Sequence, residues 1–314
     1  MSVAQRAGAW FTAIRVPTLT ASIGPVLVGT GMAEADFQAR PLPAAAALAA
    51  AILIQIGTNL VNDYQDFRRG SDTEDRVGPT RVTQAGLLEP ESVRRGAWVV
   101  FGTAFLLGIY LAWVGGWPIV VIGLAAIAAG YAYTAGPFPL AYNGLGDLFV
   151  LVFFGPVAVA GTYWVQVLDF RWDLVLAGVG IGALSTALLV VNNLRDRESD
   201  ERAGKKTLAV LLGPWGARIQ YLLLLLVAAA VPFMGVRVWG WSEWTMAAAA
   251  ALLLAGPALR RVFFPHRPEE LNGALGVTAR VTGAYAAVLA LAFVLGTPAP
   301  TDPLGVPGSS DMPV

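Results

Sequence analysis

The chain has 314 residues, of which 56% are hydrophobic and 13% are charged, and its formal net charge is zero. A soluble domain carries roughly 25% charged residues, so the composition predicts an integral membrane protein, and the balanced charge argues against nucleic acid as a partner. There is no cysteine, which excludes disulfides, thiolate metal sites and cysteine nucleophiles, and the single histidine, His266, cannot form a zinc site alone.

Nine apolar runs follow one another along the chain, each long enough to cross about 30 Å of hydrocarbon as a helix. They cover residues 10–32, 43–65, 95–114, 117–135, 146–166, 174–194, 216–236, 243–261 and 275–296. The sequence therefore predicts an all-α, polytopic membrane protein with about nine transmembrane helices in a single domain, residues 1–297. The final segment, residues 298–314, is rich in Pro, Gly and Ser and is predicted to be disordered.

The distribution of basic residues predicts the topology, because Lys and Arg accumulate in short cytoplasmic loops. With the N-terminus inside, 18 of the 21 basic residues lie in inner segments, and only Arg40, Arg171 and Arg237 lie outside. We therefore expect a multi-pass protein of the cell inner (cytoplasmic) membrane with a cytoplasmic N-terminus. The same topology places two polar clusters, which carry the chemistry, on the cytoplasmic side.

Each polar cluster ends one of the apolar runs. In the first, within residues 59–81, four side chains at i, i+3, i+4 and i+7 share one helical face: Asn59, Asn62, Asp63 and Asp66. In the second, within residues 192–207, three side chains stand at i, i+4 and i+8: Asn192, Asp196 and Asp200. This recurrence indicates a weak internal repeat, with two similar helical halves around a central cavity and their charged ends together.

The positions of the acids predict their chemistry. Both clusters occupy C-terminal helical turns, where the helix dipole is negative and carboxylates need cations nearby. Mg²⁺ prefers oxygen ligands and is held by one or two carboxylates together with substrate phosphates. A site for two Mg²⁺ ions is therefore predicted, with the interleaved Arg and Lys residues binding phosphate and these acids as ligands: Asp66, Asp72, Asp196 and Asp200. Its place beside apolar helices indicates an isoprenoid diphosphate as substrate.

Three other interpretations compete with this one. The clusters are ordinary cytoplasmic loops if their charges only form solvated pairs, but the motif occurs twice, at helical spacing, with Asn one turn ahead. A membrane transporter would bury charges near mid-span, where the nine runs hold almost none. A CDP-alcohol phosphotransferase also places acids at helix ends, but its DGxxAR signature is missing.

The two clusters resemble the aspartate-rich motifs of the UbiA family of intramembrane prenyltransferases. The first reads NDYQD followed by GSD, and the second reads DRESD followed by AGKKT. Further similar stretches include RVPTLTASIGPVLVGT at 15–30, GPTRVTQAGLL at 78–88 and YTAGPFPLAYNGLGD at 133–147. The resemblance covers nearly the whole chain and is strongest to the branch of the family that makes menaquinone.

The resemblance implies an Mg²⁺-dependent transfer of a polyprenyl group from polyprenyl diphosphate to 1,4-dihydroxy-2-naphthoate. Loss of CO₂ and diphosphate would give demethylmenaquinone. Other aromatic acceptors of the family, 4-hydroxybenzoate and homogentisate, remain open alternatives. The lipid bilayer is the medium in which such an enzyme works.

The resemblance also implies roles for individual residues. The expected metal ligands are Asn62, Asp63, Asp66, Asp72, Asn192, Asp196 and Asp200. The expected diphosphate-binding residues are Arg81, Lys205, Lys206, Arg202, Asn62 and Asn192, with Arg81 and Lys206 the main candidates. Much of the wider family has an acid where this chain has Gly70, and here that acid is displaced to Asp72. Asp63 is either a ligand itself or a support for a neighbouring ligand.

Three further residues join Asp66, Asp196 and Asp200 as catalytic candidates. Tyr133 and Tyr142 either steady an allylic cation and orient the aromatic ring, or are interfacial tyrosines. Asp147 either deprotonates a ring hydroxyl or caps a helix.

Overall fold

The computed structural model describes residues 2–70 and 77–297, and in these ranges the secondary structure is helical. Asp72 and the tail from residue 298 lie outside the described residues. Twelve α-helices occur in the described ranges, several of them joined by short 3₁₀ or π turns. They are α1 (Val3–Ile14), α2 (Leu19–Ala35), α3 (Pro41–Arg68), α4 (Pro90–Gly115), α5 (Trp117–Ala132), α6 (Gly146–Val152), α7 (Ala158–Val167), α8 (Trp172–Arg202), α9 (Leu208–Trp239), α10 (Ala247–Ala250), α11 (Gly256–Phe263) and α12 (Glu270–Gly296).

These helices form nine apolar segments in the described ranges, which confirms the predicted fold class. Eight segments are long and apolar enough to cross a membrane. The ninth, α5, is a shorter apolar helix. The nine segments coincide with the nine predicted runs, and both cluster-bearing helices, α3 and α8, extend several residues beyond the apolar part of their runs.

The first segment differs from a simple spanning helix because it breaks at Arg15. This residue has φ 56° and ψ 61°, a left-handed conformation that is unfavourable for a residue with a Cβ. The break is held by buried Asn59 of α3, whose Nδ2 donates to the Ile14 carbonyl at 2.9 Å and to Thr18 Oγ1 at 3.0 Å. The α1–α2 junction is thereby fixed to the helix that carries the first cluster.

Helix α8 runs through the centre of the molecule and packs against α2, α6, α7, α9 and α12. Its approach to the α6–α7 segment requires glycine, since a Cβ at Gly178 or Gly182 would overlap the backbone of residues 151–156. That segment contains a π turn at Phe153–Val157, where Pro156 cannot donate a helical hydrogen bond. The close contact therefore positions the wall that α6 and α7 contribute to the interior.

A cavity of about 620 Å³ lies within the helical bundle, as the predicted architecture requires. Apolar side chains from α2 to α8 form most of its wall. Its polar end, which we call the cavity mouth, is formed by Arg15, Asn62, Asp66, Arg81, Asn192 and Lys205. Both predicted clusters thus contribute to a single cavity.

Candidate active site

Asp66 is the central acid of the first cluster. It lies in the last turns of α3, where its side chain is buried. Its Oδ2 accepts a hydrogen bond from Arg81 at 3.1 Å, and its Oδ1 accepts one from the Tyr142 hydroxyl at 2.9 Å. The carboxylate is therefore held in a fixed orientation at the cavity mouth.

Tyr142 connects the two clusters. Its hydroxyl donates to Asp66, while its carbonyl oxygen accepts from the backbone N–H of Lys206 at 3.2 Å. The Lys205 ammonium lies 5.5 Å from the centre of the same ring, and the Arg69 guanidinium lies 4.6 Å from it. The connector between α5 and α6 thus joins the ends of α3 and α8.

The second cluster is organised by Arg195, which is buried. Its Nε and one terminal nitrogen donate to the two oxygens of Asp196 at 2.8 and 2.7 Å. The guanidinium also donates to the side-chain oxygens of Asn192 at 2.8 Å and of Asn272, on α12, at 3.0 Å. Arg195 therefore sets the orientation of two predicted metal ligands.

Lys205 lies between the carboxylates of both clusters. Its ammonium is 3.5 Å from Asp200 Oδ1, and its backbone N–H donates to the Asp200 carbonyl at 2.8 Å. Burial alone would lower the pKa of Lys205, but the carboxylates, chiefly Asp66 and Asp200, outweigh that effect and raise it. Lys205 is consequently a cation at neutral pH.

Each of the four cluster carboxylates in the described chain lies against a cation. The four pairs are Asp63 with Arg15 at 4.0 Å, Asp66 with Arg81 at 3.1 Å, Asp196 with Arg195 at 2.7 Å, and Asp200 with Lys205 at 3.5 Å. This pairing reduces the repulsion expected when acids gather at negative helix ends.

Asp63 has a different environment from Asp66, although both are buried on α3. Its two oxygens accept hydrogen bonds from the backbone N–H groups of Val82 and Thr83, at 3.2 and 3.1 Å. These residues follow Arg81 directly. Asp63 therefore anchors the loop that carries Arg81.

The amides of the first cluster also differ in environment. Asn62 lines the cavity mouth, and its side-chain oxygen accepts from Thr134 Oγ1 at 2.7 Å. Asn59, three residues earlier, holds the α1–α2 junction. The regular spacing of the cluster thus includes one amide at the mouth and one that holds the fold together.

Tyr133 and Asp147 lie next to each other behind the mouth. Tyr133 lines the cavity and packs against Gly146, where a Cβ would crowd the phenol. Burial raises the pKa of the Tyr133 phenol, and Asp147 and Asp200 raise it further, so this group stays neutral. Asp147 is buried at the start of α6 and accepts from Gln220 Nε2 at 3.0 Å. Leu145 occupies the N-cap position of α6, and Asp147 follows in the first turn of that helix.

The basic residues divide between the mouth and the surface. Arg81 and Lys205 contribute to the cavity wall. Lys206, one of the two main candidates from the sequence, and Arg202 have exposed side chains. The structure therefore brings Lys205, rather than its neighbour Lys206, to the predicted diphosphate site.

Arg15 is a residue of the mouth that the sequence did not single out. It lines the cavity and lies 4.0 Å from Asp63. An arginine two residues before a proline within an apolar run was the available signal. The Arg15 side chain reaches the mouth because the helix breaks at this position. The spacing of residues in the sequence does not predict that break.

The oxygen atoms at the cavity mouth are of the types that bind Mg²⁺. Carboxylates of both clusters, Asp66, Asp196 and Asp200, act on one cation, Lys205, and carboxylate and amide oxygens are the ligands that Mg²⁺ prefers. In the part of the chain that the structure describes, no three acidic side chains come close enough to hold a metal alone.

The fold and the site together define a class of protein: a polytopic membrane protein with an internal chamber for a ligand that has an anionic head and an apolar tail. Residues 22–275 match the model of the UbiA prenyltransferase family. The chain belongs to this family.

Individual relatives are similar over most of their length. A 1,4-dihydroxy-2-naphthoate octaprenyltransferase from Mycobacterium tuberculosis is 42% identical over 79% of this chain and 85% of its own. One from Haemophilus influenzae is 32% identical over 91% and 96%. A solved UbiA homolog from Archaeoglobus fulgidus, bound to DMAPP and Mg²⁺, has a TM-score of 0.59 at 16% identity, covering 89% of this chain and 98% of that one. This last likeness shows a shared fold.

Proposed function

We propose that this protein transfers a polyprenyl group from polyprenyl diphosphate to 1,4-dihydroxy-2-naphthoate, with loss of CO₂ and diphosphate, giving the quinol form of demethylmenaquinone. The observation that carries the proposal is the joining of both aspartate-rich clusters at the mouth of one apolar cavity. The relatives named for this activity support the choice of acceptor.

The diphosphate binds at the cavity mouth, where three cations contribute to the wall: Arg15, Arg81 and Lys205. The guanidinium of Arg81 presents parallel N–H donors suited to phosphate oxygens. Lys205 contributes a mobile point charge from the second half of the molecule. Together they stabilise the negative charge that develops on the diphosphate as its bond to carbon breaks.

Mg²⁺ would be held by oxygens of Asn62, Asp66, Asn192, Asp196 and Asp200, with Asp72, outside the described residues, as a further ligand. When bound, Mg²⁺ neutralises the diphosphate and makes it a better leaving group. Tyr142 and Arg195 keep the carboxylates oriented for this role through the hydrogen bonds described above.

The apolar part of the cavity receives the prenyl chain and protects the allylic cation that forms at its first carbon. Water is excluded by the aliphatic wall, which prevents hydrolysis of that cation. The neutral phenol of Tyr133 lies at the wall and offers an electron-rich ring to the cation. The electron-rich naphthoate ring then attacks the cation, and loss of its carboxylate as CO₂ restores aromaticity.

A long prenyl chain reaches the bilayer between α4 and α5. Side chains there line the cavity and are about half exposed: Phe105 at 49%, Ile109 at 55% and Leu124 at 53%. A flexible tail can therefore leave the chamber laterally without crossing a polar barrier.

The protein lies in the inner membrane with its N-terminus and its site on the cytoplasmic side, and residues 1–297 form one prenyltransferase domain. The bias of basic residues supports this orientation, since 18 of 21 lie in segments on the same side as the mouth. Cytoplasmic access suits two substrates with anionic groups.

The test is an assay of membranes that contain the protein, supplied with Mg²⁺, a polyprenyl diphosphate and one aromatic acceptor at a time. We expect a prenylated naphthoquinol and release of CO₂ with 1,4-dihydroxy-2-naphthoate, and no product with 4-hydroxybenzoate or homogentisate. EDTA should stop the reaction, and excess Mg²⁺ should restore it. Turnover of another acceptor in preference to the naphthoate would refute the proposed substrate.

A further inference from the structure

Ser185 of α8 is a buried polar group in the cavity wall that the proposed reaction does not yet use. Its side chain is 1% exposed, and its hydroxyl has no hydrogen-bond partner among the described residues. A buried hydroxyl without a partner is destabilising, and such groups are rare. Its presence therefore needs an explanation.

The usual partner of a helical hydroxyl is the carbonyl one turn earlier, and neighbouring residues use it. Thr186, the next residue, donates to the Gly182 carbonyl at 2.8 Å, and Thr278 of α12 donates to Ala274 at 2.9 Å. Ser22, which is buried in the same cavity wall, donates to the Leu19 carbonyl at 2.9 Å. Ser185 differs from all three, since its oxygen is left for a partner from outside the chain.

Ser185 shares the cavity-lining face of α8 with residues of the mouth. Leu188, Leu189 and Asn192 follow it at i+3, i+4 and i+7 on this face, and all contribute to the cavity wall. Seven residues of helix place Ser185 about 10 Å deeper than Asn192. Ser185 thus borders the apolar part of the chamber, beyond the cations that take the diphosphate.

Only one of the two substrates brings oxygen atoms to that depth. The prenyl chain is a hydrocarbon and cannot pair with a hydroxyl, whereas the naphthoate carries two ring hydroxyls and a carboxylate. With its carboxylate directed towards the cations of the mouth, the acceptor presents a ring hydroxyl to the interior. We infer that Ser185 binds a ring hydroxyl of the aromatic acceptor and so orients the ring against the first carbon of the prenyl group; this rests on the proposed function.

The test compares Ser185→Ala with Ser22→Ala. The second substitution removes a hydroxyl of the same wall that already has a hydrogen-bond partner, the Leu19 carbonyl. We expect Ser185→Ala to raise KM for the acceptor about three- to tenfold, the usual effect of one hydrogen bond, and to leave KM for polyprenyl diphosphate within about twofold. Ser22→Ala should leave KM for the acceptor unchanged. In thermal unfolding without substrates, Ser185→Ala should be no less stable than the wild type, because it removes an unsatisfied group.

A second measurement identifies the contact itself. The naphthoates lacking either the 1-hydroxyl or the 4-hydroxyl are used as competitive inhibitors of the wild type and of Ser185→Ala. For the analogue that lacks the contacted hydroxyl, the two proteins should have equal Ki values, while the other analogue should bind the variant less tightly. An unchanged KM for the acceptor, a raised KM for the donor alone, or equal losses with both analogues would overturn the inference. If the wild type does not turn over the naphthoate, the proposed function fails first, and the inference fails with it.

Discussion

Replacement of Asp63 by alanine tests whether this acid anchors a loop or binds metal. Asp63 is 2% exposed, and its oxygens accept from the N–H groups of Val82 and Thr83, which are 0% and 3% exposed. A buried N–H that loses its acceptor costs about 1–3 kcal/mol, so Asp63→Ala should destabilise the protein by about 2–6 kcal/mol. Because the loop carries Arg81, the guanidinium should also lose its position against Asp66.

The assay combines thermal unfolding of the detergent-solubilised protein with kinetics. We expect the apparent melting temperature to fall by at least about 4 °C and KM for polyprenyl diphosphate to rise, while the Mg²⁺ concentration for half-maximal rate stays the same. Asp63→Asn keeps one acceptor oxygen and should lose about half as much stability. A variant that melts like the wild type but needs more Mg²⁺ would show that Asp63 is a ligand and that the anchoring role is wrong.

Three other substitutions probe separate parts of the molecule. Asp66→Asn should lower kcat by at least about 100-fold and raise the Mg²⁺ requirement in a protein that still folds; unchanged Mg²⁺ dependence would contradict the ligand role. Gly182→Ala should lower the melting temperature by overpacking, at a cost of about 1–3 kcal/mol, whereas Gly102→Ala, which meets nothing within 4 Å, should not. Arg171→Gln removes contacts to Asp36 and Asp173 away from the mouth, and it should lower the melting temperature by a few degrees and leave KM for both substrates unchanged.

The sequence was sufficient for the fold because hydrocarbon thickness determines the length of an apolar run. All nine runs are helical in the described chain, and the connector between α4 and α5 is the single residue Gly116, with φ 72°. The break at Arg15 could not be predicted, since it is stabilised by Asn59 from another helix. Periodicity reports on neighbours along one helix and carries no information about such contacts.

The sequence predicts the type of candidate site but does not identify each residue that forms it. The helical spacing placed Asp66 and Asn62 correctly on one face, and both line the mouth. Spacing alone could not distinguish Lys205 from Lys206, because the turn after α8 decides which of two adjacent side chains enters the cavity. That turn depends on Gly204, with φ 70°, and on the contact between Lys206 and Tyr142.

The pairing of charges at the mouth predicts that the proposed reaction needs metal ions that come with the donor. Within the described residues the four carboxylates of the clusters lie against four cations, so these eight groups are neutral in sum. A diphosphate ester adds about three negative charges near neutral pH and the acceptor carboxylate adds one more, and burying them without compensation would be costly. Two Mg²⁺ ions restore neutrality, whereas one leaves about two charges uncompensated.

The same balance predicts that Mg²⁺ binds weakly to the protein alone and much more tightly with the donor present, since each ligand then favours the other. Calorimetric titration with Mg²⁺, with and without a non-hydrolysable prenyl diphosphate, measures this linkage, and equal affinities in the two titrations would contradict the argument from charge.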